Sequence, residues 1–143
     1  VRSFHTTSAI RSLADVVDVV IAAERRLTTS LLRIIEPEGC SVPTWRALRL
    51  LSDGEGHPMS ELISYTLLAP PTATRLVDGM VADNLAYRIV DERDRRRVLV
   101  YATARGRALH ERLDDRIRRA TSAVLPEPPS NEVVDALRSL APS

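Results

Sequence analysis

One stretch breaks an otherwise helical chain and constrains what surrounds it. Tyr87-Arg88-Ile89-Val90 and Val98-Leu99-Val100-Tyr101 are rich in β-branched and aromatic residues, and they flank Asp91-Glu92-Arg93-Asp94-Arg95-Arg96-Arg97, an unbroken run of charge. Two such runs around a polar connection predict a β-hairpin. Alternation sets Ile89 and Leu99 on one face and the arginines elsewhere, so the hairpin is expected to pack on one side, with a tip dense in charge. A two-stranded hairpin does not stand alone. It has to be an appendage of a helical domain.

Helical periodicity supplies that domain. From Ser12 to Ile35 the apolar positions Leu13, Val16, Val17, Val20, Ile21, Leu27, Leu31, Ile34 and Ile35 recur at spacings of three and four, which predicts one long helix. Glu36-Pro37-Glu38-Gly39 ends it, because proline cannot continue the ladder. A second helix is expected from about Pro43, through Trp45, Leu48, Leu50 and Leu51, to the Ser52-Asp53-Gly54-Glu55-Gly56 break. Ser60 to Tyr65 predicts a short helix with Ser60 at its cap or first turn, and Pro70-Pro71 opens another that carries Leu76, Val77, Met80 and Val81 and stops near Asn84. Two short helices joined by a four-residue turn have the pattern of a helix-turn-helix. After the hairpin, Thr103 is expected to cap a helix bearing Leu109, Leu113, Ile117, Ala120 and Val124. The run Pro126 to Asn131 breaks it, and a last helix carries Val133, Val134, Leu137 and Leu140. The expectation is a mainly α single domain over residues 1–143.

Charge is unevenly spread. All 20 basic residues are arginine, and the formal net charge is only +1. Residues 1–83 carry eight arginines against ten acids, residues 84–119 eleven against six, and residues 120–143 one against three. The middle segment is therefore +5 between two segments of −2. A basic block in an acidic chain is a local feature suited to a polyanion or an acidic partner.

Other classes fit poorly. With 44% hydrophobic and 27% charged residues the composition is globular. Apolar runs such as Val19 to Ala23 fall far short of a membrane span, and the first dozen residues hold no export segment. One cysteine, Cys40, allows no internal disulfide. A cytoplasmic location is the expectation. His5, His57 and His110 are too scattered to suggest a catalytic triad, and Asp53-Gly54-Glu55-Gly56 lacks the lysine and hydroxyl of a phosphate loop. Asp114-Asp115 near His110 and Glu111 reads as a solvated face, and a zinc site would need more histidine or cysteine. No enzyme, cofactor or metal is expected.

The segment Ala69-Pro70-Pro71-Thr72-Ala73-Thr74-Arg75-Leu76-Val77-Asp78 resembles the recognition helix of the MarR family of winged helix-turn-helix regulators. Asp91-Glu92-Arg93-Asp94-Arg95-Arg96 resembles that family's D-x-R-D-x-R wing, and Val98 to Arg107 resembles the strand and Thr-x-x-Gly helix start that follow it. Helix order and spacing extend the likeness to roughly residues 10 to 140. Asn84 departs from a common glycine and Ala102 from a common leucine. The resemblance implies a winged helix-turn-helix with a two-stranded wing, a DNA-binding lobe over residues 43–103 and dimerisation helices over 12–36 and 104–142. It implies a homodimer on a palindromic operator, with repression as the default and a small aromatic or phenolic effector.

Residue roles follow from that likeness. Thr72, Thr74 and Arg75 occupy the turns that would enter the major groove, where arginine can donate twice to guanine and threonine offers a methyl or hydroxyl. Ser60 would contact phosphate. Arg95 and then Arg93 would reach the minor groove, whose potential is most negative where A·T-rich DNA narrows it. Asp91, Asp94 and Arg96 would brace the wing. Trp45, Arg46 and His57 are candidates for the effector crevice, although Trp45 alone also suits a core and His57 a turn. Two other readings stay open: a winged helix that binds protein and not DNA, and a thiol sensor at Cys40.

Overall fold

The computed structural model describes residues 12–125 and 127–141. Residues 1–11 with His5, Pro126 at the head of the expected breaker run, and residues 142–143 lie outside the described residues.

Helix α1 spans Leu13–Ile35. Ser12 caps it reciprocally: its Oγ accepts the Asp15 N–H at 3.2 Å while the Asp15 carboxylate accepts the Ser12 N–H at 3.1 Å. Glu36–Glu38 tighten into one 3-10 turn, and Gly39 leaves it at φ 69°, a left-handed conformation that costs glycine little. Helix α2, Val42–Leu50, is capped by Ser41, whose Oγ accepts the Thr44 N–H at 3.2 Å.

A feature absent from the sequence expectation follows. His57–Pro58 form a short strand, β1, so the sheet has three strands and not two. Helix α3 covers Met59–Thr66 and helix α4 Pro70–Ala82, after which Asn84 takes the left-handed turn at φ 56°. Strands β2 (Ala86–Val90) and β3 (Val98–Ala102) make the hairpin, and the antiparallel order is β1-β3-β2. Two residues of ladder with no branched or aromatic run give β1 no pattern to read.

The packed face of the hairpin is also not the one suggested by Ile89 and Leu99. Those two pair across the strands, but Ile89 is 46% exposed. Ala86, Val100 and Ala102 instead face the core, and Val100 is fully buried. Tyr87 and Tyr101 stack on the outer face with ring centroids 5.3 Å apart, and a side chain at Gly56 would run into the Tyr101 ring. That stack shields the outer face and frees the smaller residues to meet the helices.

Helix α5, Ala104–Val124, starts where the sequence places it. Thr103 Oγ1 accepts the Gly106 N–H at 2.9 Å and donates to the Asn84 carbonyl at 2.6 Å, tying the end of α4 to the start of α5. Gly106 is required by contact, since a Cβ there would lie 2.1 Å from the Leu85 carbonyl oxygen. The core joins Leu48 and Leu51 of the α2 region, Leu62 of α3, Val77 and Met80 of α4, Val100 of β3 and Leu109 and Leu113 of α5, with Ile35 closing it from α1. Burying each such side chain contributes about 1.5–3 kcal/mol. Helix α6, Asn131–Leu140, is capped by Ser130 and leaves Val133, Leu137 and Leu140 exposed. No helix among the described residues is long and apolar enough to cross a membrane.

Candidate nucleic-acid interface

Helix α4 is held by its buried side. Ala73, Val77 and Met80 sink into the core, which turns Thr72, Thr74 and Arg75 outward on the exposed side of α4. Thr74 Oγ1 donates to the Pro70 carbonyl at 3.0 Å, using the acceptor of the preceding turn. Arg75 Nε lies 3.5 Å from the Pro71 carbonyl, and among the described residues its terminal nitrogens have no partner. Ser60, also exposed, is the second residue of α3, whose cap is Pro58 with no side-chain bond.

Between α3 and α4 the chain turns through Leu67 at φ 58°, a left-handed value costly for a branched residue. Arg46 of α2 secures this turn. Its Nε donates to the Tyr65 carbonyl at 3.1 Å, its Nη2 donates to the same oxygen, and its guanidinium lies 5.3 Å from the Tyr65 ring centroid. Arg46 therefore positions the helix-turn-helix, a role its sequence context did not reveal.

The wing is built by backbone capture. Asp91 Oδ1 accepts the Arg93 N–H at 2.9 Å and Asp94 Oδ1 accepts the Arg96 N–H at 3.0 Å, while Asp91 N–H donates to the Arg97 carbonyl and Arg97 N–H to the Asp94 carbonyl. Aspartate side chains that bond the backbone two residues on make tight turns. Asp91 and Asp94 each hold a wing turn through a backbone N–H, and Arg96 contributes its N–H and not its guanidinium to these bonds. Among the described residues, the side chains of Arg93, Arg95, Arg96 and Arg97 make no ion pair and stand exposed. An unexpected link joins wing to helix: Arg88 of β2 pairs with Asp78 of α4 at 2.7 Å. Opposite charges ten residues apart gave no periodic signal, because a turn and half a hairpin separate them.

The three crevice candidates part company. Trp45 and Arg46 line a cavity of about 290 Å³ with Leu31, Ile34 and Ile117. Trp45 is half-buried, with Arg49 over its ring at 5.5 Å. His57 is elsewhere. Its Nδ1 bonds Glu61 at 2.6 Å and its Nε2 bonds Asp53 at 2.9 Å, stapling the loop after α2 to the start of α3. Burial works against a charged ring there, but the bonds to Glu61 and Asp53 outweigh it and raise the His57 pKa above its ordinary value.

Cys40 is buried, and burial pushes its thiol up to about 11, so thiolate is scarce near neutrality. That environment does not suit an oxidation sensor. Asp114 and Asp115 are taken up by Arg118 at 2.6 and 2.9 Å, in keeping with a solvated face.

The sequence profile of the MarR family matches residues 38–97, which span α2 to the wing tip. The chain is 32% identical over 112 residues to the transcriptional activatory protein BadR of Rhodopseudomonas palustris, an alignment covering 76% of this chain. The chain spans 64% of that relative's length. A MarR-family transcriptional regulator from Silicibacter pomeroyi superposes with a TM-score of 0.71 at 28% identity, over 91% of this chain and 92% of that one. The transcriptional repressor CouR bound to a 23-mer DNA duplex superposes with a TM-score of 0.71 at 22% identity, over 85% and 86% of the two chains. The profile covers α4 and the wing, and the architecture shared with the MarR-family regulator from Silicibacter pomeroyi extends to the flanking helices.

Proposed function

We propose that the protein is a sequence-specific regulator of transcription that grips double-stranded DNA as a homodimer. The observation that carries this reading is the pairing, on one frame, of an outward Thr72-Thr74-Arg75 face with a wing of four unpaired arginines, joined by the Asp78–Arg88 bridge. Arg75 reads base edges in the major groove with the two threonines, Ser60 holds a phosphate, and Arg95, seconded by Arg93, enters the neighbouring minor groove. Four mutually repelling guanidinium groups at a hairpin tip are best relieved by phosphate oxygens. The DNA-bound neighbour of the same fold supports the assignment.

Homodimerisation follows from what the chain leaves uncovered. Leu13, Val17, Val20 and Ile21 of α1 and Val133, Leu137 and Leu140 of α6 are exposed, more apolar side chain than a lone domain needs at its two ends. A second copy would cover them and set two reading helices about 34–36 Å apart on one face of the duplex, matching a palindromic operator. Repression is the sense proposed, since a dimer seated across a promoter blocks polymerase. The cavity at Trp45 takes a small aromatic effector that prefers one spacing of the reading helices.

The test begins with duplexes selected from a random pool. Log affinity should fall linearly with log salt, with a slope near −0.9 per phosphate contacted, roughly −5 or steeper for the dimer. A flat slope, or no duplex selected, would point to a winged helix that docks on protein. Transcription from the selected site in vitro then reads the sense of regulation.

A further inference from the structure

Helix α3 begins without a cap of its own. Its N-cap is Pro58, which makes no side-chain bond and has no N–H that a carboxylate three residues on could accept. Glu61 stands at that third position. It lies instead 2.6 Å from Nδ1 of His57, while Asp53 of the loop after α2 meets Nε2 at 2.9 Å. The ring therefore does the work of the missing cap. It ties the first turn of α3, with Ser60 in it, to the preceding loop.

A neutral imidazole carries one N–H, and an ionised carboxylate carries none. Carboxylates on both ring nitrogens are satisfied together only when the ring is the doubly protonated cation. Among the described residues, no further ion pair reaches this ring. Glu55 gives its N–H to Asp53 Oδ1 at 2.9 Å. Strand β3, which pairs with His57 through Val100, brings no charged side chain, and its Tyr101 ring lies against Gly56. Burial opposes the charge of Asp53, yet bonds from the Glu55 N–H and from His57 hold its carboxyl below the ordinary value. Asp53 thus remains an acceptor near neutrality. The His57 side chain is only 12% exposed, so water does not readily replace a lost partner.

We propose that His57, Asp53 and Glu61 form a proton-operated clamp on the helix-turn-helix, closed and fit for DNA when the ring is doubly protonated and loosened, with weaker duplex binding, when the ring is neutral. The inference rests on the DNA-binding part of the proposed function and adds its regulation by protons. A neutral ring keeps one donor, so one of its two bonds is lost and the first turn of α3 is no longer tied to the loop. Both carboxylates are then left uncompensated beside Ser60, where they repel a phosphate. Both consequences lower affinity as pH rises. By linkage, a bound duplex holds the His57 proton more tightly.

Duplex affinity of the full chain, measured by fluorescence anisotropy at fixed ionic strength from about pH 5.5 to about 8.5, tests this. Wild-type affinity should fall about three- to tenfold with rising pH, tenfold corresponding to a shift of about one unit in the His57 pKa on binding DNA. H57Q should bind weakly throughout and lose that slope. H57R, whose charge is permanent, should keep the acid-side affinity across the range. The His57 ring protons, identified in NMR spectra by their absence from H57Q, give a measurement on the wild-type chain itself. They should titrate above the ~6.5 of a free histidine, and higher still with duplex bound. A His57 titration that duplex leaves unmoved, or parallel pH profiles for wild type and H57Q, overturns the clamp and leaves the regulator reading standing. A wild-type protein that binds no duplex at any pH sinks the regulator reading, and the clamp with it.

Discussion

The reading lobe and the terminal helices treat the same kinds of residue in opposite ways. In the lobe, Leu48, Leu62, Val77 and Val100 are buried almost completely, and several turns are finished by a local side-chain bond, such as Thr103 to Gly106 or Asp91 to Arg93. At the ends, Leu13 is 78% and Leu140 68% exposed, although α1 and α6 are well capped. Local helix formation is satisfied in both places. Burial is completed only in the lobe, so the lobe is a finished fold and the ends leave apolar faces uncovered. The proposed homodimer would account for dividing the apolar residues in this way.

Breaking the lobe should have the largest effect. Gly106→Val drives a branched side chain into the Leu85 carbonyl at a distance the backbone cannot yield, and thermal melting should show a loss of more than about 4 kcal/mol or no folded protein. Leu48→Ala, which empties a buried site, should cost about 2–5 kcal/mol in a denaturant titration. A melt unchanged in either variant would mean the lobe is less complete than its burial implies.

The ends should respond in assembly before they respond in fold. Val17→Asp with Leu137→Asp should convert dimer to monomer in sedimentation at micromolar concentration, with helical circular dichroism largely kept. If the pair leaves the mass unchanged, the exposed faces are covered by something other than a second copy.

Smaller effects lie within the proposed DNA-reading surface. Arg75→Ala should cost about 1–3 kcal/mol in discrimination among operator variants. Arg95→Ala should weaken A·T-flanked sites while leaving the major-groove preference intact. Equal losses on every sequence from both variants would collapse helix and wing into a single phosphate-binding surface.

The smallest effect is a pH dependence of stability. The folded pKa of His57 lies above its unfolded value, so the native state holds the extra proton. The stabilisation it brings is fully present below the unfolded pKa, about 6.5 for a free histidine, and is lost as pH rises through the higher folded value. His57→Gln should flatten that decline in a set of melts across the window. A wild-type melt that rises with pH there would show that Asp53 and Glu61 do not hold the protonated ring.

Much of the lobe was legible because its signals are short-range. Ser12, Thr103, Pro43 and the Pro70-Pro71 pair mark helix starts within one turn, and Asn84 marks a left-handed exit. For Asp91 and Asp94 the bracing role came from the family resemblance of the wing motif, and the structure shows each side chain accepting an N–H two residues ahead. The roles of Arg46, Arg88 and His57 could not, because each is set by a partner that another element delivers.

Read by itself, the amino-acid order determined the run of helices, the one hairpin, its charged tip and the outward residues of the reading helix, because helical period, turn chemistry and capping act over a few positions. Only the tertiary structure decided that His57–Pro58 would join the sheet, that Val100 and not Ile89 would face inward, and that Arg25, Arg26 and Arg33 of α1 would line a groove beside the apolar cavity. Those outcomes depend on which surfaces meet across tens of residues. Periodicity shows that an element has a face, and packing selects what that face touches.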